Sequence, residues 1–251
     1  MARTGKPPIR TRWVDTNKGS ELKPNHRSRW VAQEFRSTPD NSLYAATPGI
    51  EAVREVVSDV ASDHDQRVLV VIDVRRAYFY APVKRDMYVE LPSEEASLYN
   101  ERKCGRLLIS LYGTRDAASN WERELRGTMR EAGFTPGISS PVHLGHTEWD
   151  AFGVVHGDDI AMSIPRKHAG KLIKFVEQNY EIKSEILGAR GDEVKQIKLL
   201  NRTISWTEEG IQWEADARHA QIVVEQLGLK HAKGGEHPRA AGSAVVGREY
   251  R

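Results

Sequence analysis

An apolar run, a Gly-Asp-Asp sequence and a second apolar run constrain the fold of this chain more than any other feature. Residues 152–155 and 160–162 have the apolar character of buried strands, and Gly157 followed by Asp158 suits a primed two-residue turn. The stretch therefore predicts a β-hairpin with Asp158 and Asp159 at its tip. A Gly-Asp-Asp sequence is also common in solvated turns, so the pattern by itself leaves a purely structural interpretation open.

The two adjacent carboxylates at this tip suggest chemistry, because folding gains nothing from their proximity. Like charges side by side repel each other and raise each other's pKa. A divalent cation relieves that repulsion, and carboxylate oxygens are hard ligands that suit Mg²⁺. Asp158 and Asp159 are therefore candidate metal ligands.

The charge of the chain is unevenly distributed. The whole chain of 251 residues has a net charge of +2, but residues 1–36 carry +6, the segment from Lys230 onward carries +3, and the part between carries −7. Basic ends around an acidic centre suit a polyanion held near a metal site, although basic ends are also common as solvated tails.

Cysteine usage and hydropathy bear on the compartment. Cys104 is the only cysteine, which excludes an internal disulfide and favours a reducing environment. No apolar run approaches the length of a membrane span, and the N-terminal residues lack the apolar core of a secretory signal. We therefore expect an intracellular protein, cytoplasmic or nuclear, without a membrane partner.

The hydrophobic periodicity predicts an α+β fold. The expected organisation is a basic, poorly ordered arm over residues 1–25, one domain over residues 26–229 and a flexible linker over residues 230–251. Within it the sequence predicts helices over 49–62, 115–133, 166–179 and 217–227. The predicted strands cover 26–35, 67–74, 88–91, 106–111, 142–147, 151–156, 180–187, 194–206 and 211–214, together with the second strand of the hairpin, which ends at residue 164.

The order of these elements brings a third carboxylate toward the hairpin. A buried strand ends at Asp73, and a helix, the hairpin and a second helix follow it in a split βαββα pattern. In that arrangement Asp73 and the hairpin tip lie at the same end of adjacent strands. Asp73, Asp158 and Asp159 are thus expected to converge.

Six stretches of the chain, taken in order, resemble the reverse transcriptase of copia-type LTR retrotransposons. Asp73 is followed five residues later by the aromatic Tyr78, as in the first catalytic motif of reverse transcriptases, and residues 156–159 resemble their aromatic-x-Asp-Asp motif. The six stretches are RSRWVAQEF (27–35), ATPGIEAVREVVS (46–58), DVRRAYFYAPVKRDMYVELP (73–92), LISLYGTRDAASNWEREL (108–125), FGVVHGDDIAM (152–162) and GIQWEADARHAQIVVEQLGL (210–229).

The resemblance implies a reverse-transcriptase palm, a split βαββα sheet with helices on one face, together with fingers. It implies an RNA-directed DNA polymerase, in which Asp73 and Asp158 hold two Mg²⁺ ions, with Mn²⁺ as an alternative, and Asp159 supports the site. The partners it implies are an RNA or DNA template-primer, deoxynucleoside triphosphates and the rest of a Pol polyprotein with RNase H and integrase; the thumb is expected to be largely missing from this chain.

The resemblance also implies roles in nucleotide binding. Tyr78 lies where the family's aromatic side chain closes off the 2′ position of the sugar. Arg27 or Arg29 matches the basic finger segment that meets the triphosphate, and Lys183 is a weaker candidate for the proton donor to pyrophosphate. Asp116 occupies the position of the Gln that contacts the incoming nucleotide.

The chain departs from the family pattern at His156, Gly157 and Asp116. His156 replaces the aromatic of the Asp-Asp motif and Gly157 is its middle residue, while Asp116 places a negative charge where phosphates are expected. The sequence therefore predicts that Asp116→Gln improves primer extension. It also leaves open a catalytically silent, retroelement-derived domain that keeps the fold and binds nucleic acid.

Two further interpretations are weaker. His143, His146 and His156 invite a zinc site, but no Cys or carboxylate accompanies them at metal-ligand spacing. The buried strand ending at Asp73 also resembles the strand that carries the phosphoacceptor Asp in receiver domains. Receivers, however, place their acidic pair before the phosphoacceptor, whereas here the pair follows it.

Overall fold

The computed structural model describes residues 5–19, 23–35, 45–63, 65–96, 103–138, 140–215 and 218–230. The described helices are α1 Ile50–Ser62, α2 Ser93–Ala96, α3 Ala117–Glu131, α4 Arg166–Asn179 and α5 Arg218–Gln226, with a 3₁₀ helix over Ala77–Tyr80. The strands are β1 Thr11–Asn17, β2 His26–Ala32, β3 Arg67–Val74, β4 Tyr88–Glu90, β5 Cys104–Arg106, β6 Thr135–Pro136, β7 His143–His146, β8 Ala151–His156, β9 Asp159–Pro165, β10 Ile182–Leu187, β11 Gln196–Leu199, β12 Arg202–Thr207 and β13 Gly210–Ala215.

A six-stranded antiparallel sheet in the order β10-β3-β9-β8-β7-β6 forms the centre of the fold. Side chains of β3 alternate between its faces. Val68, Val70 and Ile72 pack with α3 and α4 on one face, whereas Leu69 and Val71 pack with α1 and the β11–β13 sheet on the other. Because both faces are covered, β3 is apolar along almost its whole length.

The predicted α+β class is confirmed, with the split βαββα unit formed by β3, α3, β8, β9 and α4. The helices of this unit, α3 and α4, lie on one face of the sheet, and α1, which precedes the unit, covers the other. The bounds of α4 and β3 are those predicted from the sequence, and those of α1, α3 and α5 differ by one or two residues at their ends.

Three predictions about local structure were wrong. Residues Thr11–Asn17, expected to be poorly ordered, form β1 and pair with β2, so their order comes from a long-range contact. The single strand expected over 194–206 is divided by a turn at Leu200 and Asn201, whose φ angles are 48° and 59°. Of the strand expected over 106–111, Arg106 ends β5 and Ile109 makes only an isolated bridge to Pro82. The predicted flexible linker covers residues 230–251, and all of it beyond residue 230 lies outside the described residues.

The β8–β9 hairpin has the predicted two-residue turn. His156 pairs with Asp159 across it, and Gly157 adopts a φ of +63°, in the left-handed region that glycine reaches without strain. Within the hairpin, Gly153 lies directly against β9, where an added Cβ would overlap the Ala161 carbonyl oxygen and the Met162 side chain.

No helix among the described residues combines the length and the apolar character that crossing a membrane requires.

Replacing Gly153 with Ala should lower the free energy of unfolding by about 1–3 kcal/mol, because the extra methyl group overpacks a closed interface. Gly145→Ala is the matched control, since a Cβ at this position of the neighbouring strand β7 would meet no atom within 4 Å. Urea unfolding of both variants measures the difference. Equal stability of the two variants would contradict the close packing of β8 on β9.

Candidate active site

The register of the central sheet brings Asp73 to the hairpin tip. Asp73 on β3 lies directly opposite Asp159 on β9, and the Val74 amide donates a 2.9 Å hydrogen bond to the carbonyl oxygen of Asp158. Residues directly opposite on antiparallel strands have their side chains on the same face. Three carboxylates separated by about 85 residues in the chain therefore meet at one edge of the sheet, as the strand order predicts.

The buried side chain of Trp121 holds the turn of the β8–β9 hairpin. Trp121 is 1% exposed in the core, its ring meets that of Tyr180 at a centroid distance of 5.1 Å, and its indole Nε1 donates a 2.7 Å hydrogen bond to the carbonyl oxygen of Gly157. Together with the Val74 contact, this bond holds both residues of the turn, Gly157 and Asp158, through their backbone carbonyl oxygens. The sequence indicated Trp121 only as a core residue, since its apolar spacing carries no sign of the indole's partner.

Electrostatic repulsion among the carboxylates is evident in their pKa values. Burial and the neighbouring carboxylates of Asp158 and Asp73 raise the pKa of Asp159 to about 6. Burial and Asp158 also raise the pKa of Asp73, against the opposing effect of Lys183, Arg75 and Arg27. Ionising all three carboxylates therefore costs free energy, and a bound cation would lower that cost.

The carboxylates open onto two depressions on the surface. Asp73 and Asp158 line a cleft of about 900 Å³, whereas Asp73 and Asp159 line a second depression of about 390 Å³ beside β10 and β11. Basic and aromatic side chains complete the wall of the larger cleft; they are Arg27, Arg29, Arg75, Arg76, Lys183, Trp13, Trp30, Phe79 and Tyr112.

The donor set fits Mg²⁺ in one specific manner. Among the described residues, no group of three or more His, Cys, Asp and Glu side chains is arranged to hold a metal ion. Mg²⁺, however, is usually bound by one or two carboxylates, with water and substrate phosphates supplying the other ligands. Asp73 and Asp158, which face the same cleft, meet that requirement, while Asp159 faces the second depression.

The predicted basic residues lie in the cleft. Lys183 pairs with Asp73 in the β10–β3 register, and its Nζ lies 3.3 Å from a carboxylate oxygen of Glu185. Arg27 and Arg29 are exposed on β2, and each faces the cleft that Asp73 and Asp158 line. Lys183, Arg27 and Arg29 therefore line the same cleft as Asp73 and Asp158, where they can contact an anionic group bound in the cleft.

Tyr78 does not line this cleft. Its half-buried ring packs on the core and on Tyr112, whose ring centroid lies 4.7 Å away, and Tyr112 in turn lines the cleft. Burial and Asp158 raise the pKa values of both tyrosines. Tyr112 is not among the site residues predicted from the sequence, although it lies in the stretch 108–125 that resembles the family and that also contains Asp116.

Arg75 and Arg76 are two further cleft residues that the sequence reasoning did not single out. Both guanidinium groups pair with Glu181 at the start of β10, the Arg75 contact measuring 2.9 Å. Arg76 adopts a left-handed φ of 56°. These are exposed pairs of low intrinsic stability, so a more strongly charged anion can compete with Glu181 for them.

The prediction for Asp116 was wrong in its geometry. Asp116 is 2% exposed, and its two carboxylate oxygens accept hydrogen bonds of 2.7 and 3.0 Å from Arg85 rather than facing the cleft. The same guanidinium binds Glu34 through bonds of 2.8 and 2.9 Å, and Glu34 also accepts the Arg115 amide. Asp116 is therefore a structural partner of Arg85, and its replacement by Gln is expected to weaken the fold rather than to improve extension.

The histidines give no support to zinc. Both ring nitrogens of His146 are engaged, with Nδ1 accepting the Trp149 amide at 3.1 Å and Nε2 lying 2.9 Å from the Ala132 carbonyl oxygen. In this arrangement Nε2 carries the proton and donates it to Ala132. His146 thus has no free nitrogen for a metal.

Comparison with known proteins identifies the family. The reverse transcriptase (RNA-dependent DNA polymerase) family matches residues 2–145, which is more than half of the chain. The chain belongs to this family. The matched residues include Asp73 and α3 and end before the β8–β9 hairpin.

One solved structure of similar shape is telomerase from Candida albicans, in complex with a TWJ fragment of telomeric RNA. The two chains are 10% identical, with a TM-score of 0.46, over 84% of this chain and 47% of the telomerase chain. This chain therefore spans about half the length of that relative.

Asp159→Asn should stabilise the metal-free protein above about pH 6, because it removes one of three repelling carboxylates. The raised pKa of Asp159, about 6 against an ordinary 3.8, means that stability falls as the pH rises through this interval. Urea unfolding across the interval should show this loss in the unmodified protein and a flatter profile in Asp159→Asn. The exposed Asp192→Asn is the control. Added Mg²⁺ should raise the stability of the unmodified protein more than that of Asp159→Asn, and an equal effect would exclude Asp159 from the metal's surroundings.

Acid should destabilise the Glu34–Arg85–Asp116 cluster. Although burial opposes it, the Arg85 guanidinium lowers the pKa of both carboxyl groups below their ordinary 4.5 and 3.8. Their stabilising effect is complete above those values and is lost as the pH falls through the lower folded values. Asp116→Asn should cost about 1–3 kcal/mol near neutral pH and flatten this acid dependence. Asp86→Asn, which removes the exposed partner of Arg106, should do neither.

Proposed function

We propose that this chain is the RNA-directed DNA polymerase domain of a copia-type retrotransposon, adding deoxynucleotides to a primer 3′-hydroxyl. The observation that carries the proposal is the meeting of Asp73 and Asp158 at one edge of the sheet, on the wall of a cleft lined by five cations. Membership of the reverse transcriptase family supports the reaction class.

In the proposed reaction Asp73 and Asp158 hold two Mg²⁺ ions, or Mn²⁺ in their place. Bound in this way, the metals would activate the primer hydroxyl and neutralise the charge of the triphosphate. Asp159 contributes negative charge from the neighbouring depression. Arg27 and Arg29 on β2, which line the same cleft, bind the triphosphate, and Lys183, beside Asp73, protonates the pyrophosphate as it leaves.

The proposed partners follow from the same cleft. A template-primer of RNA or DNA occupies it, since exposed cations and aromatic rings together suit phosphates and bases. Deoxynucleoside triphosphates are the second substrate. In the native context we expect RNase H and integrase to belong to the same polyprotein.

Primer extension with purified protein, Mg²⁺ and a template-primer tests the proposal. Asp73→Asn and Asp158→Asn should each reduce the rate by about 10²-fold or more, as removal of a group that stabilises transition-state charge does. Asp192→Asn, a charge change at an exposed position away from the cleft, should leave the rate unchanged. Equal rates for Asp73→Asn and the unmodified protein would contradict a metal-binding role for Asp73.

A second candidate function is a catalytically silent domain that binds nucleic acid. It is favoured by Asp116, which replaces the family's nucleotide-contacting Gln and is committed to Arg85. Such a domain would bind template-primer with an affinity that falls steeply with salt, because each neutralised phosphate releases counterions. Salt-dependent binding without extension, by a folded protein, would support it over the polymerase.

A further inference from the structure

Two consecutive arginines hold the carboxylate of Glu181 at the wall of the larger cleft. Arg75 Nη1 donates a 2.9 Å hydrogen bond to one carboxylate oxygen, and Arg76 Nη2 donates a hydrogen bond to the other. All three residues line the cleft of about 900 Å³. Planar guanidinium groups match the oxygens of carboxylates and of phosphates alike. The two arginines therefore form an oxyanion-binding site, and the protein's own carboxylate occupies it.

The backbone brings both guanidinium groups to the same anion. Successive side chains of an extended strand point to opposite faces, so neighbouring arginines in a strand would diverge. Arg76, two residues beyond the end of β3, has a φ of 56° and a ψ of 37°, in the left-handed region that a non-glycine residue adopts at a cost. This bend ends the strand geometry directly after Arg75 and lets the two side chains meet on Glu181.

Glu181 is fixed by its backbone, whereas its side chain is open to solvent. Its amide donates a 2.9 Å hydrogen bond to the hydroxyl oxygen of Tyr80, and its carbonyl oxygen accepts one of 2.9 Å from the Arg75 amide. The side chains of Arg75, Arg76 and Glu181 are 57%, 66% and 42% exposed. Ion pairs this exposed contribute little stability, because water and salt screen them. The carboxylate can therefore leave the arginines while the backbone that carries it stays in place.

The arginine pair lies beside the carboxylate site. Lys183 pairs with Asp73 in the β10–β3 register, and Glu181 and Arg75 each lie two residues further along the same two segments. Two residues of a strand span about 7 Å. An anion that is bound near Asp73 can therefore reach the arginines with a further phosphate group. Such a group offers more acceptor oxygens to the two guanidinium groups than a carboxylate does.

We propose that Arg75 and Arg76 form a phosphate-binding site of the cleft, and that Glu181 occupies this site until a phosphate displaces it. The ligand is a phosphate group, either of a nucleoside triphosphate or of a nucleic-acid backbone. The inference rests on the proposed function for the class of ligand, and it deepens that function by adding a built-in competitor. Glu181 lowers the affinity of the cleft for phosphates because it holds the two arginines in the empty protein.

Glu181→Gln tests the competition, since it removes the charge and keeps the size of the side chain. Titration calorimetry of the full chain, at low ionic strength and without divalent metal, measures the binding of inorganic tripolyphosphate and of single-stranded oligothymidylate. Glu181→Gln should strengthen the binding of at least one probe by about 3- to 10-fold. Glu177→Gln, the same change of charge at an exposed position of α4, should strengthen it far less.

A second set of variants shows whether the gain comes through the arginines. Arg75→Gln combined with Arg76→Asn should weaken binding by about 3- to 10-fold. Asn is chosen at residue 76 because it tolerates the left-handed conformation. Adding Glu181→Gln to this protein should change the affinity by less than about twofold, because the competitor and the site act through one contact. Arg75→Lys with Arg76→Lys, which loses the planar groups, takes its place if the first combination does not fold.

Three results would each overturn the inference. They are an unchanged affinity for both probes in Glu181→Gln, a gain no larger than that of Glu177→Gln, and a full gain in the protein that lacks both arginines. A gain for tripolyphosphate alone assigns the site to a triphosphate, and a gain for oligothymidylate alone assigns it to a backbone phosphate. A gain for both probes assigns it to the phosphates of either ligand.

Failure of the proposed function has a different signature. A folded protein that extends no primer, and whose Glu181→Gln variant binds either probe more tightly through the arginines, supports the inference and counts against the polymerase alone. A protein that extends primers, and whose Glu181→Gln variant binds neither probe more tightly, keeps the proposed function and overturns the inference.

Discussion

The antiparallel pairing of β3 with β9 is the constraint on which the rest of the site depends. It sets Asp73 opposite Asp159 and allows the Val74 amide to bind the carbonyl oxygen of Asp158. A shift of one residue in this register would turn Asp73 to the other face, where α3 and α4 pack. The pairing of β3 with β9 therefore fixes the chemistry as well as the fold, because it decides which face Asp73 occupies.

Arginine side chains serve two opposite purposes around this site. Arg85 is half-buried and pairs with both Glu34, just after β2, and Asp116, just before α3. Arg27 and Arg29, on the same strand β2, remain exposed toward the cleft. The paired arginine thus helps to hold the segment after the strand that presents the exposed ones, and the carboxylates of the central sheet face basic side chains across the cleft.

The aromatic side chains link these two halves. Trp121 supports the hairpin turn from the core through Gly157, while Tyr112 connects Tyr78 to Arg29 across the cleft wall. Close backbone contact at Gly113 keeps β2 against this wall. The Tyr112 ring therefore lies between β2 and Tyr78, whereas the carboxylates are held by the central sheet.

The sequence by itself determined the hairpin, the strand that ends at Asp73 and the bounds of the main helices, because each depends on local periodicity or on one turn residue such as Gly157. It also indicated the convergence of the carboxylates, since the order of elements restricts how the strands can pair. Only the tertiary structure decided the partner of Asp116, because Arg85 and Glu34 lie far from it in the chain and no periodicity encodes their contact. The same holds for β1, which lies in a basic segment expected to be poorly ordered and pairs with β2 in the structure. Tyr112 acquires its place in the same way, through contacts with Ala32, Arg29 and Tyr78 that exist only once the sheet and the basic strand have come together.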